Sequence, residues 1–202
     1  MTYVILFIFG IVIGSFLNVV ALRFDSKNFG GRSKCPHCSK TLRWFELVPI
    51  VSYILQLGKC RNCGVRISPQ YPIVEILTGL IFVSAPVWML PVFCIYVVIL
   101  IYDFHHKIIP DPLVYLAILL SVVSRWLLVS SNFDWFAGPI IFLFFASIWL
   151  FSRGRAMGFG DAKLGLSIGL LLGASQGFSA IIFSFWIGAV VGLFLMMLKS
   201  LQ

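Results

Sequence analysis

The chain has 202 residues, of which 60% are hydrophobic and only 11% charged. That composition excludes a soluble globular domain and marks a polytopic membrane protein. A formal net charge of +8 in such a chain points to loops facing anionic lipid rather than to a nucleic-acid partner.

Residues 3–22 predict a first membrane span. No positive n-region and no small-residue cleavage site precede it, so it reads as a retained helix rather than a removed signal peptide. Gly10 and Gly14 stand four apart, a spacing that suits close helix packing. Asn18, in Gly14-Ser15-Phe16-Leu17-Asn18-Val19-Val20, reads as an interhelical hydrogen-bonding residue or part of a ligand site.

Residues 23–72 differ in kind. They hold Arg23, Lys27, Arg32, Lys34, Lys40, Arg43, Lys59, Arg61 and Arg66, nine of the fifteen Lys and Arg, together with two Cys-x-x-Cys pairs. This is a small polar domain between two spans. Its middle, Trp44 to Leu57, is apolar enough to lie against the bilayer or to form its own helix.

Further spans are expected over about 73–90, 92–104, 113–129, 136–151, 162–174 and 178–198. Pro86 and Pro91 mark a tight reversal. Pro110 and Pro112 end the helix that contains Asp103. Ser130 to Trp135 reads as a short loop, and Ser152 to Gly160 as a basic, glycine-containing one. Gly165, Gly169 and Gly173 form a row suited to tight contact, and Gly188 and Gly192 repeat the spacing. The expected fold is therefore all-α, with about seven transmembrane helices. The predicted divisions are 1–22 as first helix, 23–72 as the four-cysteine domain and 73–202 as the remaining membrane domain.

Placing the 23–72 domain in the cytoplasm and alternating the spans puts fourteen of the fifteen cations inside and only Arg125 outside, a strong positive-inside signal. The same topology brings Asp103 and Asp161 to one membrane edge, although neither was used to choose it.

Four cysteines, Cys35, Cys38, Cys60 and Cys63, suit a tetrahedral Zn²⁺ site in which two small turns each offer two thiolates. The gap between the pairs slightly exceeds the usual ribbon range. Two disulfides are the alternative, disfavoured in a reducing cytosol. His37 reads as solvent-facing, and Cys94 as a small apolar residue within a span.

Asp161 lies in Met157-Gly158-Phe159-Gly160-Asp161, where Gly158 and Gly160 permit close backbone approach. It is either the N-cap of the following helix or a functional acid at the bilayer edge. Paired with Asp103 it would share one proton, one carboxylate activating water while the other carboxyl polarises a carbonyl. Asp111 rivals Asp103 but reads as a solvated turn acid. Glu75, at the start of the second span, is a further candidate, or else a helix-start acid favoured by the macrodipole. Glu46 is a further candidate, and His105 and His106 read as interfacial. A proton-coupled transporter or channel built on paired intramembrane acids is the competing class; it leaves the four cysteines unexplained. A scaffold with a zinc module leaves the acids unexplained.

Taken in order, Gly14–Val19, Cys35-Pro36-His37-Cys38 with Pro49–Tyr53, Gly58–Cys63 and Tyr71–Glu75, Asp103 through Asp111, and Gly158-Phe159-Gly160-Asp161 resemble the type IV prepilin peptidases (leader peptidase/N-methyltransferases). These are aspartyl proteases of the Gly-x-Gly-Asp type. The resemblance implies an integral inner-membrane endopeptidase that removes the short basic leader of prepilins or pseudopilins on the cytoplasmic side. Asp103 and Asp161 would be the catalytic pair. Gly158, Gly160, Asp111 and Glu75 read as supporting residues, Glu75 and the cysteine domain being the candidates for supporting methyltransfer. The resemblance also implies, for many members, N-methylation of the new terminus with S-adenosylmethionine. The chain departs from the family at Gln70, where Arg is usual, and in stopping after the seventh span where an eighth is usual.

Overall fold

A computed structural model describes residues 1–25, 30–128 and 135–200. Lys27 and nearly all of the expected 130–135 loop lie outside the described residues. Among those residues the chain is helical without strands, the only β-pairing being the isolated bridges Lys34–Thr41 and Lys59–Arg66. The helices are α1 (Thr2–Arg23), α2 (Val51–Leu55), α3 (Gln70–Ser84), α4 (Leu90–His106), α5 (Asp111–Leu128), α6 (Ala137–Ser152) and α7 (Phe159–Ser200), with 3₁₀ turns at Trp44–Leu47 and Val87–Met89. Among the described residues three stretches, Thr2–Arg23, Val87–His106 and Phe159–Met197, are long and apolar enough to cross a membrane. The chain divides into two compact units, Met1–Pro110 and Asp111–Gln202.

In the first unit the small residues of α1 admit α3. A Cβ on Gly10 would lie 2.8 Å from the Gly79 Cα, and one on Gly14 would lie 2.9 Å from the Thr78 Cβ. Residues rising along α1 meet residues falling along α3, so the two helices are antiparallel. The far end of α1 meets the far end of α4, where the Tyr102 hydroxyl donates to Asp25 at 2.7 Å and His106 Nε2 lies 3.2 Å from the same carboxylate. The segment 30–69 and Asp103 therefore share one end of this unit. Asn18 is fully buried, donates from Nδ2 to the Gly14 carbonyl at 3.2 Å, and its Oδ1 meets no partner among the described residues.

In the second unit the small-residue row works only in part. Gly169 abuts Gly138 of α6, where an added Cβ would sit 2.7 Å from the Gly138 Cα, and Gly165 abuts Phe145 and Ile141. Gly173, expected to continue that face, instead breaks α7 with φ 78° and ψ −178°. A positive φ is open to glycine without the Cβ clash other residues incur. The chain folds back there: Ala162 and Ile181 belong to one apolar cluster with Ile141 and Phe145, and the rings of Phe145 and Phe185 stack at 6.2 Å. Two antiparallel arms result, matching the expected sixth and seventh spans. The break leaves carbonyls of the first arm without helical partners, and Arg125 Nη1 donates to one of them, Leu171, at 3.1 Å. Gly188 and Gly192 meet no atom within 4 Å among the described residues, so the second glycine pair packs against nothing within this unit.

Pairings of rising residue number set α5 parallel to the first arm of α7: Asp111 with Lys163, Ser121 with Ser167 at 3.0 Å, and Arg125 with Leu171. This is the relation required when a single crossing, α6, intervenes between two spans. Asp111, Lys163 and Asp161 stand at one end of the unit and Arg125 toward the other.

Candidate functional site

Each Cys-x-x-Cys pair sits in the same small turn. Cys35 N–H donates to Lys40 O at 3.0 Å while its carbonyl accepts Ser39 N–H at 2.9 Å; Cys60 N–H donates to Val65 O at 2.8 Å while its carbonyl accepts Gly64 N–H at 2.9 Å. The turns close through positive φ at Ser39 (56°) and Gly64 (70°). All four sulfurs lie within 4.8 Å of one another, and Cys35 Sγ is 3.8 Å from Cys63 Sγ. That separation is too long for a disulfide. It equals the edge of a tetrahedron with metal–sulfur bonds of about 2.3 Å. The four cysteines could thus hold one metal ion, the only such cluster among the described residues. His37 is exposed and outside the cluster.

The thiols are electrostatically divided. The Lys40 backbone N–H, helped by the Asn62 side chain, holds the Cys38 pKa down to about 6. Backbone N–H groups of Cys63 and Asn62 lower that of Cys60. The Val65 N–H favours the Cys63 thiolate too, but desolvation and the three neighbouring sulfurs outweigh it and raise Cys63 to about 11. Four thiolates in this space repel one another unless a cation lies among them.

Asp161 occupies the third position of α7, not its N-cap. Its Oδ2 accepts the Gly158 N–H at 3.1 Å, the reciprocal half of a capping box. The expected choice between cap and functional acid is therefore not exclusive, since one oxygen serves the helix end. Asp103, half-buried on the last turn of α4, belongs to the first unit, and Asp161 to the second. Lys107, in the left-handed region at φ 57°, ends α4 by donating its N–H to the Asp103 carbonyl at 2.8 Å.

Two expectations are revised. Glu75 is not at a helix start: α3 begins at Gln70, and Glu75, 5% exposed, accepts the Ile50 N–H at 2.8 Å and a hydrogen bond from Ser15. Asp111 is not only a solvated turn acid. It opens α5 and accepts Lys163 Nζ at 2.7 Å. Glu46 is buried and accepts the Arg43 N–H at 2.7 Å, closing the Trp44–Leu47 turn. Sequence reasoning missed Lys163 as a site residue; its place two residues after Asp161 was the available signal.

Residues 88–193 match the model of the type IV leader peptidase family, and residues 8–89 match that of the bacterial peptidase A24 N-terminal domain. The chain belongs to the type IV leader peptidase family. Relatives include the prepilin leader peptidase/N-methyltransferase of Bacillus subtilis (strain 168), 36% identical over 203 residues, covering 93% of this chain and 81% of the relative. The protein of the same name from Myxococcus xanthus (strain DK1622) is 32% identical over 96% of this chain and 63% of its own length. The type 4 prepilin-like proteins leader peptide-processing enzyme of Escherichia coli O78:H11 (strain H10407 / ETEC) is 31% identical over 81% of this chain and 74% of its own. No solved structure matches the chain.

Proposed function

We propose that the chain is an aspartyl endopeptidase of the plasma (inner) membrane that removes the short basic leader from type IV prepilins or pseudopilins at the cytoplasmic face. Family membership supports the peptidase reading. The observation that carries the aspartyl chemistry is the position of Asp161: it stands in the first turn of α7 behind two glycines, with one carboxylate oxygen accepting the Gly158 N–H. Asp103 is its partner. The ionised member of the pair takes a proton from water as the water oxygen attacks the scissile carbonyl carbon. The protonated member donates to the carbonyl oxygen. Collapse of the tetrahedral intermediate expels the amine, which leaves with a proton. Neither role is assigned to one member, since both belong to the dyad. Asp111, Gly158 and Gly160 support the turn that carries Asp161, and Glu75 with the cysteine domain supports methyltransfer.

The metal is Zn²⁺, held by Cys35, Cys38, Cys60 and Cys63 in a structural role, since four thiolates leave no open coordination position. The functional divisions remain 1–22, 23–72 and 73–202. N-methylation of the new terminus by S-adenosylmethionine is the second activity, supported by the relatives' names. Incubating purified protein with a prepilin-like peptide in detergent, and separately a pre-cleaved peptide with S-adenosylmethionine, tests the two. Absence of cleavage removes the first claim. Absence of methylation by the wild type removes the second.

A further inference from the structure

The peptidase chemistry leaves Trp44–Leu57 unused. In a 3₁₀ turn residues three apart share a face, which sets Trp44 and Leu47 side by side, 77% and 43% exposed. Across α2, Val51, Ile54 and Leu55 stand at i, i+3 and i+4, one helical face, with 51%, 63% and 68% exposed. Leu57 follows at 84%. The other side of α2, Ser52, Tyr53 and Gln56, is half-buried. Six large apolar side chains therefore have no cover within their own unit, a feature that marks an interaction surface.

The depth of this segment says what covers it. The N-cap of α2, Ile50, donates its N–H to Glu75 of α3, and Glu75 in turn meets Ser15 of α1. Ser15 lies eight residues before Arg23, the last residue of α1, which is about 12 Å along the helix axis. The start of α2 is thus level with the apolar body of α1 rather than with its polar end. Backbone at that depth needs internal partners, and the Glu75 carboxylate supplies one for Ile50, whose φ of 60° lies outside any helix. Charge completes the argument. Arg43, Lys59, Arg61 and Arg66 flank the apolar face and are exposed. The only acid between residues 30 and 69 is Glu46, which is buried and bound to the Arg43 N–H.

We propose that Trp44–Leu57 is a re-entrant interfacial segment whose apolar face enters the cytoplasmic leaflet, with the flanking cations holding anionic phospholipid headgroups around it. The proposal rests on the membrane orientation given above. An amphipathic segment of this kind gains both by burying apolar area and by attraction to anionic lipid. Glu75 is the peg that fixes its depth.

The test uses the full chain in vesicles of phosphatidylcholine and phosphatidylglycerol, with bromine on the acyl chains near the headgroup. The emission of Trp44 is the difference between wild type and Trp44→Phe. That of Trp186, 71% exposed on the second arm of α7, is obtained likewise from Trp186→Phe. Trp44 should be blue-shifted and lose most of its emission to the bromine. It should lose more when phosphatidylglycerol carries the label than when phosphatidylcholine does at equal fraction, and high salt should remove that preference. Quenching of Trp186 but not Trp44 overturns the proposal while leaving the membrane reading intact. Quenching of neither overturns the membrane reading itself, and the proposal with it. Trp44 shielded from acrylamide yet untouched by bromolipid assigns the face to a protein partner, against the proposal. Equal quenching by both labelled lipids overturns the anionic part.

Discussion

Lys163 Nζ donates to Asp111 Oδ1 at 2.7 Å, tying the start of α7 to the start of α5. The same ammonium lies 5.3 Å from the ring centres of Tyr115 and Phe159. Residues two apart on a helix do not face each other, so this anchor holds α7 from the side away from Asp161. It sets the rotation of the turn that presents Asp161 without competing for its carboxyl. Asp111 is 57% exposed at its side chain, and a pair this open is worth about 1 kcal/mol or less.

Asp111→Asn and Lys163→Gln should accordingly each lower cleavage by no more than about five-fold. The double variant should be close to the worse single, because both remove one interaction. Initial rates on a prepilin-like peptide check this. Complete loss with Asp111→Asn alone would place Asp111 in the dyad.

Purified protein should carry about one zinc per chain, measured by elemental analysis. Serine at Cys35, Cys38, Cys60 or Cys63 should release it, make the 30–69 segment sensitive to protease and leave the helical circular dichroism of the spans nearly unchanged. The pH dependence has a definite sign. Cys38 titrates well below the ordinary thiol value, at about 6. Its thiolate is therefore present above that pH and is lost as pH falls through it. Protonation of the four thiols competes with the metal, so metal should leave on acidification and not on alkalinisation. Metal-free protein with a protease-resistant segment would contradict this.

The close passage of α6 and α7 predicts a stability effect. A Cβ at Gly169 would meet the Gly138 backbone at 2.7 Å, and backbone cannot rotate away, whereas Gly188 opens onto no neighbour. Gly169→Ala should cost about 1–3 kcal/mol by overpacking, read as a lower melting temperature in detergent. Gly188→Ala should cost nothing measurable. Equal melting temperatures for the two variants would mean that α6 and α7 are not this close.

How legible this was depended on whether the pattern was local. The four cysteines were readable because metal spacing is a local property of two turns. Gly10 and Gly14 were readable because small residues four apart have one common use in a membrane. Gly173 misled, since its place in a row of small residues gave no sign that its φ would be positive. Glu75 was misread as a helix-start acid because its partner, Ile50, is a backbone N–H 25 residues away, and backbone partners leave no mark in a side-chain pattern. The Asp111–Lys163 pair spans 52 residues and needed the parallel setting of α5 and α7 to become visible.

Topology can be read by labelling. In a Cys94→Ala background, a cysteine at Val87, which is 73% exposed, should react with an impermeant thiol reagent applied outside intact cells. A cysteine at Arg155 should react only after the cells are opened. Equal outside labelling of both would overturn the positive-inside assignment.

The central claim is that Asp103 and Asp161 cleave the leader together, and the most direct measurement is peptide cleavage by the folded Asp161→Asn protein beside Asp103→Asn and the double variant. Asparagine keeps the size of the residue, and its amide oxygen can still accept the Gly158 N–H, so the first turn of α7 should survive. It cannot exchange a proton with water or with the scissile carbonyl oxygen. Each single variant should therefore lose all detectable cleavage with an unchanged melting temperature, and the double should be no worse, as for groups that act as one unit. A folded Asp161→Asn protein that cleaves at near the wild-type rate would reduce Asp161 to a helix cap and contradict the account.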